Sequence, residues 1–332
     1  IEAIRQAPGY EDFFRAPTLR TVVSAATAGA PLVYLLATTA GGLALLASRE
    51  PAADEAATVR AVWLDGLTEP AVRELLYGPA DDPALGGYLG AYDAWRRDPT
   101  DHHARDAWFA TLDQAARRLW EMAMGPLLAA LHPDGGEKVE AAVLIPAGLL
   151  GLLPLHAAWT EAASAPTGRR YALDEMTLSY APSARALARA REVAAAAADQ
   201  ALLAVDEPRP VSASPLPNAA AEVAAIASLF ASPKVMRHEE AAKGAVLEAL
   251  PAARVVHFSC HGATDWRDPL RSGLLMAGDE MLTVGDLLDK RLPGARLAAL
   301  SACETGVVGA DLPDEVVALP SAFTQAGFAG VV

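Results

Sequence analysis

From residue 139 onward the sequence alternates short apolar runs with helical stretches, and this rhythm restricts the fold more than any other feature. Val139–Pro146, Met176–Ala181, Ala201–Pro208, Val235–Arg237, Arg254–Cys260, Arg296–Ala302 and Gly330–Val332 read as strands. Between them Pro182–Ala198, Pro217–Phe230, Ala241–Leu250, Thr283–Leu292 and Asp314–Ala326 read as helices, with a short helical or looped piece at Ala147–His156. Strands separated by helices of this length imply right-handed crossovers and a mostly parallel sheet covered on both faces. The expected class is α/β. Four prolines fall within Pro208–Pro217, which reads as an exposed loop with strands of one sheet on both sides.

The first part of the chain follows a different pattern. Ala30–Ala47 is apolar for about the length a membrane helix needs. Its centre, Thr38-Thr39-Ala40-Gly41-Gly42, is where a helix would be weakest, so the flanks are expected as the two strands of a hairpin. Thr58–Leu64 reads as a third strand. From Thr68 to about Leu131 the period is helical, with starts at Thr68 and Thr100-Asp101, a break at Asp98-Pro99 and an end at Gly125-Pro126. Trp95, Trp108 and Trp120 are then packing residues. This gives an expected strand and helix region over 1–137 and an α/β domain over 138–332. No repeat with a period of twenty to fifty residues is visible.

A net charge of -14 repels phosphate backbones and anionic lipid, so neither nucleic acid nor a membrane is an expected partner. The two cysteines, Cys260 and Cys303, stand apart from any loop-stapling pattern, which suggests a reducing compartment and a cytoplasmic location. The chain begins at Ile1 with no basic and apolar leader, so no secretory signal is read.

Both cysteines lie in two segments of the same design, HFSCHG at His257–Gly262 and LSACETG at Leu300–Gly306. In each, an apolar run stops at a reactive side chain with glycine close behind. In a parallel sheet ligands bind beyond the carboxyl ends of the strands, which is where these residues would fall. Imidazole has the proton affinity to activate a thiol near neutral pH, which makes His261 and Cys303 the candidate pair. Gly262 leaves its amide unobstructed, and with the Cys303 amide it is a candidate oxyanion donor. Cys260 alternates to the opposite face and reads as core. His257 lies four residues before His261. A metal site of His257, His261, Cys260 and Cys303 is an alternative that this alternation disfavours. Asp265, Arg267 and Asp268 read as a solvated loop, and Asp311, Asp314 and Glu315 as a charged loop and an acidic helix start.

The segments VVHFSCHGATDW, SGLLMAGDEMLTVGDLL, LAALSACETG and DEVVALPSAFTQAGFAGVV, with the earlier LPNAAAEVAAIASLF, IPAGLLGLLPLHAAW and LSYAPSARAL, resemble the CHAT domains. These are caspase-like peptidases of the clan that also holds separase, caspases and gingipains. The likeness runs in order from about Val139 to Val332. It implies a caspase-like sheet and a cysteine endopeptidase with His261 and Cys303 as its dyad. It further implies Gly262 and Cys303 as oxyanion donors and Ser301 in the pocket for the residue preceding the cut bond. No cofactor and no metal are expected. The implied partners are a protein substrate and a regulatory protein held by the helical repeats that members commonly carry. Related proteins often have a non-catalytic caspase-like or helical portion ahead of the active one, which 1–137 would represent. Members usually continue through a further strand and helix, so the sequence reads as a fragment truncated at both ends. Two other readings of the residues are an inactive caspase-like interaction module and an acyltransferase using the same thiol.

Overall fold

The computed structural model describes residues 1–332 except 9–10, 12, 14, 28, 50–56, 80–86, 133–138, 197–200, 266–267 and 304–317. The chain forms two compact units, Ile1–Leu187 and Ala188–Val332.

The first unit runs α1 (Glu2–Arg5), α2 (Leu19–Ser24), β1 (Leu32–Thr38), β2 (Gly41–Arg49), β3 (Ala57–Leu64), α3 (Glu69–Tyr77), α4 (Tyr88–Arg97), α5 (His102–Leu119), α6 (Gly125–Leu131) and β4 (Ala141–Pro146). It continues with β5 (Trp159–Glu161), β6 (Arg169–Tyr171), α7 (Ala172–Glu175), β7 (Thr177–Tyr180) and α8 (Ala184–Ala196), the last of which crosses the division. The expected hairpin is present as β1 and β2, paired antiparallel from Leu32 opposite Ala47 to Thr38 opposite Gly41. Both expected helix starts carry side-chain caps. The Thr68 hydroxyl accepts the Ala71 amide at 3.2 Å, and Asp101 accepts the His103 amide at 2.8 Å.

Three features differ from expectation. Leu32, Val33 and Leu35 are fully buried, so β1 is central and needs a neighbour on its second edge. That neighbour is β4, parallel to β1 and followed by β7, giving the order β3-β2-β1-β4-β7. The strands at Val139–Pro146 and Met176–Ala181 therefore complete this sheet instead of joining the later strands, and the division falls after Leu187. Second, Gly125-Pro126 does not end the helix. A single π-helical turn, Trp120–Met124, carries α5 into α6. The wider turn accommodates a proline with no amide proton. A side chain at Gly125 would meet the Trp120 ring nitrogen and carbonyl at 2.9 Å. Third, the short pair β5 and β6 was not anticipated. The tryptophans pack as expected: Trp95 and Trp108 stack with centroids 4.8 Å apart and fasten α4 to α5.

The second unit contains β8 (Leu202–Asp206), α9 (Ala219–Ala227), β9 (Lys234–Arg237), α10 (Lys243–Ala249), β10 (Val255–Ser259), β11 (Gly262–Ala263), β12 (Gly273–Met276) and β13 (Glu280–Thr283). It ends with α11 (Val284–Leu288), β14 (Leu297–Ser301), α12 (Leu319–Ala326) and β15 (Gly330–Val331). Five strands form a wholly parallel sheet in the order β15-β14-β10-β8-β9. Side chains alternate across it. Leu203, Val205, Val256, Phe258, Cys260, Ala298 and Leu300 face a core completed by α10, α11 and α12. Leu202 and Ala204 face α9 through Val223. The α/β class with a mostly parallel sheet flanked by helices is what the alternating pattern required.

This strand order fixes where a ligand can bind. From β8 the chain moves to β9 at one edge and then returns to the other side of β8 as β10. The carboxyl ends of β8 and β10 therefore diverge into a crevice, the usual ligand position in a doubly wound sheet.

Candidate functional site

The ladder between β10 and β14 aligns the two reactive segments. At every rung the partner's number is higher by 42, from Val255 with Leu297 to Ser259 with Ser301. The Cys260 amide extends the ladder by reaching the Ser301 carbonyl at 3.4 Å. Counted two residues past the last rung, the same offset matches His261 to Cys303, just beyond the ends of both strands. Alternation directs Val256, Phe258 and Cys260 into the aliphatic core. His257 and Ser259 face α9, and His261 continues their row.

Gly262 lies at the closest approach. A Cβ there would stand 2.2 Å from the Cys303 carbonyl oxygen, so only glycine fits. Gly262 pairs with Leu274 across β11 and β12, while the hydrogen bond runs from the Leu275 amide to the His261 carbonyl at 2.8 Å. In an antiparallel ladder this makes Gly262 and Leu274 a non-hydrogen-bonded pair, and the Gly262 N–H points away from β12.

The Pro208–Pro217 loop contributes a group that the sequence did not reveal. His261 Nε2 is 2.7 Å from the Ser214 carbonyl oxygen. A carbonyl only accepts, so Nε2 carries the proton and Nδ1 of the neutral ring has the free lone pair. Protonation of Nδ1 leaves this bond intact, so the same anchor supports the imidazolium. The only advance signal was the density of prolines, which stiffen the segment that presents this carbonyl.

The two thiols are in opposite environments. Cys303 is exposed, whereas Cys260 is buried and unpaired in the core, where burial pushes its thiol well above the ordinary range. A thiol held neutral in this way is a poor nucleophile. Ser301, at the end of β14, is exposed, as is Cys303 two residues on. His257 is 3 % exposed, with Nε2 3.2 Å from Glu222 Oε1. The contact is close but neither ring nitrogen has a hydrogen-bond partner of good geometry. The Ser259 hydroxyl donates to the other Glu222 oxygen at 2.9 Å. Burial lowers the His257 pKa and Glu222 opposes that shift.

Asp265 and Asp268, which follow the histidine, are bonded to nearby backbone amides. The Asp268 amide donates to the Asp265 carboxylate, and the Leu270 amide to that of Asp268. Arg267, Glu304, Thr305, Asp311, Asp314 and Glu315 lie outside the described residues. Among the described residues no three His, Cys, Asp or Glu side chains are grouped to hold a metal, and no helix is long and apolar enough to cross a membrane.

The model of the CHAT domain matches residues 113–332. The chain belongs to the CHAT domain family. This family is related to the caspase-like cysteine peptidases. The match begins within α5, earlier than the Val139 expected from the motifs, so the CHAT domain includes the second part of the first unit and all of the second. A search of curated proteins found no match.

Proposed function

We propose that this CHAT domain is a cysteine endopeptidase in which His261 and Cys303 form the dyad. What supports this reading is that both residues follow the carboxyl ends of neighbouring parallel strands, with His261 anchored through Nε2 on a backbone carbonyl. Nδ1 takes the Cys303 proton, the thiolate attacks the peptide carbonyl, and the imidazolium returns the proton to the departing amine. The amides of Gly262 and Cys303 hold the oxyanion, a contribution of about 3 kcal/mol from such donors. Ser301 sits at the rim, beside the residue preceding the cut bond. The substrate is a protein, a regulatory partner controls access to the site, and the reduced thiol fits a cytoplasmic setting.

Digestion of a peptide library by the protein beside its Cys303→Ala and His261→Ala variants tests this. Each variant is expected to lose on the order of 10³-fold or more in cleavage rate with its fold intact by circular dichroism. Undiminished cleavage by Cys303→Ala would sink the reading. A Cys303 thiol inert to peptidyl electrophiles would favour an interaction module instead.

A further inference from the structure

We infer that the cavity beside His261 receives an apolar substrate side chain next to the cut bond, with Ala213 and Leu275 setting the size it accepts. This rests on the peptidase reading above. The cavity holds about 290 Å³ and is bordered by the 207–216 loop, Glu239, His261 and Leu275. It lies at the crevice between the carboxyl ends of β8 and β10, where the strand order reverses.

The chemistry of the lining selects the occupant. Pro208, Pro210, Val211, Ala213, Leu216 and Leu275 supply about half of the lining, and Glu207, Arg209, Ser214, Glu239 and His261 line most of the rest. The deepest charge, Glu207, is already balanced: Oε1 accepts Arg209 Nη2 at 2.7 Å and the Leu216 amide at 2.6 Å. The Ser214 carbonyl is taken by His261. A basic side chain would have to compete with Arg209, and an acidic one would enter beside Glu207 and Glu239. An apolar side chain displaces no hydrogen bond and removes its own surface from water. Glu239 is exposed at the rim, where solvent screens it.

The pocket is also built in advance. Glu207 holds a left-handed backbone, φ 42, unusual for a side chain of its size. Its carbonyl lies 3.1 Å from His238 Nδ1. Both Asp279 carboxylate oxygens accept from Ser212, at 2.7 Å each, and the Gly278 amide donates to the Pro210 carbonyl at 2.8 Å. The loop therefore needs little reorganisation when a side chain enters.

Opposite changes in pocket size supply the test. Peptides varied only next to the cut bond would be digested by the protein and by its Ala213→Trp and Leu275→Ala variants, while the rate of Cys303 alkylation by iodoacetamide is followed in each. The unaltered protein is expected to prefer leucine, methionine or phenylalanine over lysine and aspartate by ~10-fold or more. Ala213→Trp should shift the preference to alanine and glycine, and Leu275→Ala toward larger rings. Misfolding cannot produce opposite shifts, and iodoacetamide is too small to need the pocket. Cleavage with an unmoved preference in both variants, or a preference for charged side chains in the unaltered protein, would overturn the pocket assignment alone. Alkylation of Cys303 without cleavage of any peptide would overturn the peptidase reading and the pocket with it.

Discussion

Gly262 and Gly90 show at the scale of single residues how context sets the sign of one substitution. At Gly262 an added methyl would meet the Cys303 carbonyl at 2.2 Å, and because that atom is backbone it cannot swing aside. Gly262→Ala should cost about 1–3 kcal/mol and blunt Cys303 alkylation by forcing the two strand ends apart. Gly90, inside α4, has nothing within 4 Å of such a methyl. Gly90→Ala should stabilise by roughly 0.5–1 kcal/mol, and urea denaturation of both variants reads both signs. His257 makes a further residue-level contribution through pH. Its folded pKa lies below the unfolded value of 6.5, so the unfolded chain binds more protons between those two values. The corresponding stability is complete above pH 6.5 and is lost as pH falls from there through the folded value. In His257→Asn the stability curve should flatten in that window, retaining the part due to His156, which burial also lowers.

Among the elements, those with an internal period were legible in sequence and those defined by distant pairing were not. β8, β10 and β14 announced themselves as apolar runs, and the caps at Thr68 and Asp101 marked real helix starts. β5 and β6 have three residues each, too few to display alternation. The β11, β12 and β13 ladder was likewise hidden, because glycines at both of its ends interrupt the apolar pattern. That β4 would join the hairpin depends on which edge of β1 lacked a neighbour, a fact absent from any local window. The site divides the same way. His261 and Cys303 were readable because their side chains carry the chemistry, whereas Ser214 acts through a carbonyl that every residue possesses. The loop bearing that carbonyl depends on Asp279, whose pKa its bonds to Ser212 hold below the ordinary carboxylate range. In Asp279→Ala the Ser212 amide should exchange with deuterium about tenfold faster, as follows from losing a charge-assisted acceptor, while amides in β10 keep their protection.

For the molecule as a whole, charge sets behaviour in solution and sheet geometry sets what can change. With a net charge of -14 and an isoelectric point near 4.9, the chain repels copies of itself at neutral pH. Light scattering against pH should therefore rise to a maximum near 4.9 and fall again on adding base. The crossover from β10 to β14 leaves the sheet and returns to it. Residues gained or lost in its exposed turns leave Ser259 opposite Ser301, because the rungs fix the register that leads into His261 and Cys303 and not the length of chain between them. A slip of β14 by one rung is a different event: it would point Leu300 and Ala302 outward and turn the thiol toward Phe258 in the core. Descendants of this chain are thus free to vary in length here, but the site survives only in those that conserve the parity of the ladder.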